Sequence, residues 1–109
     1  MRESDLQRTV IATARYLGWR VAHFGRAMTR SGEWVTPTHA DGAGFPDLVL
    51  VRERVVYVEL KSAKGQLSPR QREWMRSLLG AGQEAHVWRL EDWTSGTIES
   101  VLKRETLVA

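Results

Sequence analysis

The sequence predicts an α/β domain of four strands and three helices in the order αβββαβα. Three observations carry this reading. An apolar stripe at helical spacing opens the chain, two β-rich runs flank a short charged loop at its middle, and a Ser-Pro helix start follows them. Taking the elements in order, Leu6, Val10, Ala14 and Leu17 recur as on one helix face and predict a helix over residues 3–17, stopped by Gly18. A short strand from Trp19 to Phe24 comes next. Gly25 to Gly44 is polar and rich in turn residues; so long a stretch in a compact domain signals a functional loop, with room for a small hairpin around Trp34-Val35. Asp47 to Val51 and Val55 to Ser62 predict an antiparallel hairpin across Arg52-Glu53-Arg54. Ser68-Pro69 starts a helix that ends at Gly80 or Gly82, Ala85 to Arg89 is a strand, and a last helix covers residues 95–104.

Composition narrows the class. The 109 residues are 42% hydrophobic and carry five Trp, enough for one core, so a single domain over 1–109 is expected and disorder is not. Cysteine is absent, which removes disulfides, thiolate nucleophiles and Cys-based zinc sites. The chain has no apolar run near the ~20 residues a membrane span needs, and Met1-Arg2-Glu3-Ser4-Asp5 does not open a signal peptide. The expectation is a soluble, cytoplasmic protein with no membrane partner. The net charge of +3 is uneven: residues 1–40 carry six Arg against three acids, residues 64–90 five bases against two acids, and residues 41–63 three bases against four acids. Basic flanks can hold a polyanion while the centre supplies carboxylates.

The central stretch is Gly44-Phe45-Pro46-Asp47-Leu48-Val49-Leu50 followed by Val58-Glu59-Leu60-Lys61. Side chains alternate along a strand, so Glu59 and Lys61 share a face and Leu60 takes the other. With a three-residue loop, Val51 opposes Val55, Val49 opposes Tyr57 and Asp47 opposes Glu59, with Cβ atoms roughly 4.5–5.5 Å apart. A two-residue loop would put Asp47 on the wrong side. Two facing carboxylates repel by about 4 kcal/mol at an effective dielectric near 20. A sheet has no structural need for that cost, and a divalent cation reverses its sign. Hard oxygen ligands suit Mg²⁺ or Mn²⁺, and Lys61 beside them can orient a water or stabilise charge on a phosphoryl oxygen.

Pro46-Asp47 followed by Glu59-Leu60-Lys61 resembles the PD-(D/E)XK nuclease superfamily. The longer string, with Gly44-Phe45, Gly65-Gln66-Leu67-Ser68 and Gln71 three residues before Trp74, resembles its virus-type replication-repair nuclease (VRR-NUC) branch. The resemblance runs from Glu3 to about Trp93, with the stretch from Arg26 to Asp41 mapping least well. It implies a restriction-endonuclease-like core with a mixed sheet, and a Mg²⁺-dependent endodeoxyribonuclease acting in replication, repair or recombination. Asp47, Glu59 and the Leu60 carbonyl would be metal ligands, and Lys61 the catalytic lysine. Small relatives resemble junction-resolving or phage-encoded enzymes, which implies a bacterial or phage-infected cell. Two symmetric cuts would need a homodimer, for which no residue identifies an interface.

Further positions follow with two readings each. Gln71 lies in line with Trp74, Met75 and Leu78, where a polar side chain needs a partner, and the resemblance implies one for a catalytic Gln71: the metal-bound water or a site carboxylate. Ser68-Pro69-Arg70-Gln71 is also a capping box, and one residue can serve both roles. Glu3 and Gln7 fall on the stripe of Val10 and Ala14. The resemblance makes Glu3 a further metal ligand or DNA contact, against an ordinary first-turn acid; Gln7 is a DNA contact on the same stripe. Arg26, Arg30, Lys64, Arg70, Arg72 and Arg76 are candidate phosphate contacts. His23 ends a strand near the expected cleft and is either a DNA contact or a packed ring. No His pair has metal spacing, and the absence of Asn argues against an H-N-H nuclease. Trp19, Trp74 and Trp88 sit at core-like positions. Two rivals use the same residues: a catalytically silent DNA-structure-binding domain, and a small adaptor whose charged strand binds protein.

Overall fold

The computed structural model describes residues 2–25 and 27–105. Its elements are α1 (Glu3–Tyr16), β1 (Arg20–His23), β2 (Ala27–Met28), β3 (Trp34–Val35), β4 (Leu48–Val51), β5 (Val55–Leu60), α2 (Pro69–Gly80), β6 (Glu84–Trp88), α3 (Leu90–Thr94) and α4 (Thr97–Lys103). Strands β1, β4, β5 and β6 form a four-stranded sheet in that order, antiparallel from β1 to β5 and parallel between β5 and β6. The expected mixed α/β sheet flanked by helices is what the chain forms.

The element order differs from αβββαβα in two places. Strands β2 and β3 pair as a separate two-stranded ribbon, so the polar stretch after β1 contains two strands. The helix expected over 95–104 forms as α4 (Thr97–Lys103), and a short helix that was not expected, α3 (Leu90–Thr94), precedes it. The Arg89 N–H donates to Asp92 Oδ2 at 2.8 Å to cap α3, and Gly96, at a left-handed φ of +81, separates α3 from α4.

The hairpin register follows from the loop. Val51 pairs Val55, Val49 pairs Tyr57 and Leu48 pairs Val58. One step further places Asp47 opposite Glu59, although Asp47 itself lies just before β4. Period-2 alternation then sends Leu48, Leu50, Val56, Val58 and Leu60 into the core, against Leu6, Val10 and Ala14 of α1 and Ile98 and Leu102 of α4.

The charged loop has a structural task of its own. The Arg52 and Arg54 guanidinium groups stack on the buried Trp19 ring at 4.5 and 4.9 Å. They also donate to carbonyls at the end of α4, Arg52 to Leu102 at 3.1 Å and Arg54 to Val101 at 2.7 Å, while the Trp19 indole N–H donates to Leu102 at 2.9 Å. Orphan carbonyls at a helix C-terminus are thereby satisfied by cations, which its dipole also favours. Trp19 and Trp88 are core residues as expected. Trp74 is a correction: it is half-buried, and its indole N–H reaches out to the Asp41 carbonyl at 2.9 Å. Among the described residues no helix is long and apolar enough to cross a membrane.

Candidate active site

A cavity of about 840 Å³ opens where the end of β1, the start of β4, the end of β5 and the first turn of α2 meet. Helix α1 supplies Glu3, Ser4 and Gln7 to its wall, His23 and Phe24 come from the end of β1, and Thr36 to Thr38 follow β3. Asp47, Glu59, Lys61 and Gln71 complete it.

Each of these four is positioned by local structure. Pro46 is fully buried, and the Phe24 N–H donates to the Asp47 carbonyl at 2.9 Å, which ties the residue to the end of β1. The Asp47 side chain turns toward β5, where Oδ2 accepts from the Leu60 N–H at 2.9 Å. Glu59 is 2% exposed. Its Oε1 accepts from Gln71 Nε2 at 3.0 Å, and its Oε2 is buried with no hydrogen-bond partner. Lys61 leaves the end of β5, its backbone N–H donating to the Trp88 carbonyl at 3.0 Å. Ser68 caps α2 through Gln71 N–H at 3.2 Å, and Gln71 Oε1 accepts from the Ser68 N–H at 2.9 Å. The capping and site roles of Gln71 therefore coexist.

The electrostatics of the pair are strained. Burial, then the adjacent Asp47 carboxylate, pushes Glu59 up to about 8, while the Lys61 charge pulls the other way. An unpaired buried carboxylate oxygen is costly unless it is protonated or a cation satisfies it. The donor set suits a hard divalent ion, because Mg²⁺ binds through one or two carboxylates and keeps several waters. Among the described residues no three His, Cys, Asp or Glu side chains come together as a metal group. Glu3 is exposed and lines the same cavity as Asp47 and Glu59 without forming a three-carboxylate cluster with them.

The other expected positions divide. Gln7 and His23 line the cavity. Lys64 is exposed in the turn after β5, Arg70 lines a separate cavity of about 430 Å³ with Asp41 and Trp74, and Arg30 lies in the turn of the β2–β3 ribbon. Leu60 buries its side chain in the core. Arg26 lies outside the described residues.

Three supports were not read from the sequence. Phe45 is an aromatic hub, edge-on to Phe24, Tyr57 and Trp74 at 5.6, 6.1 and 5.1 Å, which pins the loop before Asp47. Gly44 has φ +86, and a Cβ there would lie 2.7 Å from the Arg70 carbonyl carbon and 2.9 Å from Gln71 N. Its bareness lets the first turn of α2 approach. Arg89 Nη1 donates to the Ser62 and Gly65 carbonyls at 2.6 and 2.5 Å, bracing the turn after Lys61. Gly44 and Phe45 carried a sequence signal, their place in the Gly-Phe-Pro-Asp string, and Arg89 carried none.

No curated protein and no solved structure matches the chain. The VRR-NUC domain model matches residues 34–91, from β3 into α3, a stretch that contains Asp47, Glu59, Lys61 and Gln71. That stretch is more than half of the chain, and the chain therefore belongs to the VRR-NUC family of nucleases.

Proposed function

We propose that the domain is a metal-dependent endodeoxyribonuclease that hydrolyses phosphodiester bonds in DNA and prefers branched or interrupted DNA such as a junction or flap. Replication, repair or recombination would be its setting. The observation that carries this reading is the buried Glu59 Oε2, unpaired beside Asp47 and followed by Lys61 in one cavity. A structural ion pair would have satisfied that atom.

Asp47 and Glu59 would hold Mg²⁺ or Mn²⁺, with the Leu60 carbonyl as a backbone ligand. When bound, the ion would supply Lewis-acid stabilisation of phosphoryl charge and a more acidic water. Gln71 fixes the Glu59 carboxylate, so its free oxygen keeps one direction. Lys61 brings an ammonium group to the cavity wall, where it donates a hydrogen bond to the attacking water or to the phosphoryl oxygen that gains charge. Glu3, Gln7 and His23 would contact the substrate strand from the opposing elements, while Lys64, Arg70 and Arg30 would hold phosphates outside the cavity and Arg26 would be a further phosphate contact.

The test is cleavage of labelled four-way junctions, flaps, nicked and linear duplexes in Mg²⁺, Mn²⁺ and EDTA. Metal-dependent cutting that Asp47→Asn abolishes is the expected result. Salt-sensitive binding to the same DNA with no cutting in either metal would overturn it in favour of a silent DNA-binding domain.

A further inference from the structure

We propose that the β2–β3 ribbon is a stacking arm for unpaired DNA, in which Trp34 takes a nucleobase of the strand entering the cavity and Arg30 takes a phosphate of that strand. This inference rests on the nuclease reading of the cavity and names what lies beside the cut phosphate.

The ribbon holds its shape through its own bonds. Met28 pairs Trp34 and Ala27 pairs Val35, and the turn between them is tied by Thr29, whose N–H donates to the Glu33 carbonyl at 2.7 Å and whose Oγ1 accepts from the Glu33 N–H at 3.1 Å. Gly32 supplies the positive φ the turn requires. On this ribbon Trp34 is 60% exposed, and among the described residues its indole has neither a ring partner nor a hydrogen bond. The other Trp side chains of the sheet region behave differently: Trp19 and Trp88 are buried, and Trp74 packs on Phe45.

Placement gives the exposed indole its meaning. Both ends of the ribbon grow out of the cavity wall, Phe24 and Gly25 before it and Thr36 to Thr38 after it. Trp34 lies two residues from Thr36, so it stands at most about 7 Å along the chain from the lining. Phe24, itself 47% exposed, offers a second aromatic surface at the cavity mouth. Arg30 is exposed in the turn of the same arm. An aromatic ring with a nearby cation, on a track leading to a phosphodiester site, is the chemistry that holds single-stranded nucleic acid. Every base has a face to stack, but only an unpaired base can present it, so the arm selects DNA that is open near the cut and carries no sequence preference.

The test uses the intact chain in EDTA, where binding is read without cleavage. The probes are a labelled oligo(dT) and a blunt duplex. Trp34→Ala should weaken oligo(dT) binding by about tenfold or more, Trp34→Phe should restore most of it, and duplex affinity should change by less than about twofold. The slope of log affinity against log salt should stay fixed for Trp34→Ala and fall by about one for Arg30→Ala. Equal oligo(dT) binding by wild type, Trp34→Ala and Trp34→Phe would overturn the proposal. So would a change in sedimentation with unchanged DNA affinity, which would assign Trp34 to a contact between copies. Failure of the nuclease reading shows separately, as no cutting of any DNA by wild type in Mg²⁺ or Mn²⁺.

Discussion

Gln71 joins the helix start to the carboxylate pair: its Nε2 donates to Glu59 Oε1 at 3.0 Å while its Oε1 accepts from the Ser68 N–H at 2.9 Å. The two roles separate by substitution. Ser68→Ala removes the cap alone and should cost about 1 kcal/mol of stability, with cleavage largely kept at saturating Mg²⁺. Gln71→Glu keeps the capping box but replaces the donor facing Glu59 with an acceptor. Its melting temperature with Mg²⁺ present should stay near wild type while cleavage falls at least tenfold. Chemical denaturation and single-turnover assays on both variants check this, and equal losses in the two would remove Gln71 from the site.

Gly44→Ala should act on the site through the backbone. The new Cβ would lie 2.7 Å from the Arg70 carbonyl carbon and 2.8 Å from Arg70 Cβ, at a φ of +86 that L residues rarely adopt. The first turn of α2 must retreat, which moves Gln71 off Glu59. A loss of about 1–3 kcal/mol is expected, together with weaker activity well below the melting transition. Full activity in the cold would show that the approach of α2 to Gly44 is unimportant to the site.

The sequence made the centre of this molecule legible because its signals are local. A three-residue loop sets the β4–β5 register, and the register sets Asp47 against Glu59. The capping box of α2 likewise needs only four residues. What escaped depends on distant partners. Arg52 and Arg54 read as ordinary loop charge, yet they stack on Trp19 and bind carbonyls of α4, about fifty residues away. The short helix α3 was not expected, because five residues between a strand and a helix are too few to show an apolar period. Glu3 sits on the stripe that the sequence showed and lines the cavity, but stripe position alone does not give a distance to Asp47 and Glu59.

Glu59 should make the metal-free protein less stable as pH rises. Burial and the Asp47 charge raise its folded value from 4.5 to about 8, so the folded state binds a proton that the unfolded chain releases. The stabilisation is full below about 4.5 and is lost as pH climbs toward 8. By pH 7 this one group should have removed on the order of 3 kcal/mol relative to pH 4. Glu59→Gln should flatten that slope, and Asp47→Asn should reduce it by removing the like charge. Both should lose the rise in melting temperature that Mg²⁺ gives wild type, a rise expected to be larger at pH 8 than at pH 5 because ion and proton compete. Urea titrations in EDTA between pH 5 and 8 read the first effect, and a pH-independent wild type would remove the strained pair.

Lys61→Met separates chemistry from simple attraction to DNA. The methionine keeps an unbranched apolar stem, so the end of β5 should still pack, while the ammonium at the cavity wall is lost. If Lys61 acts on the water or on the phosphoryl oxygen, single-turnover cleavage should fall by about a hundredfold or more with DNA affinity changed much less. A lysine that only holds phosphate would instead weaken binding, lower the salt slope by about one, and spare the saturated rate. Lys64→Ala is the control, since Lys64 is exposed in the turn beyond the strand and lies outside the cavity lining. The Arg89 brace on Ser62 and Gly65 keeps that turn in place in both variants, so the comparison isolates the two ammonium groups. If Lys61→Met followed the Lys64→Ala pattern, Lys61 would be a positioning cation and the catalytic charge would have to come from elsewhere in the cavity.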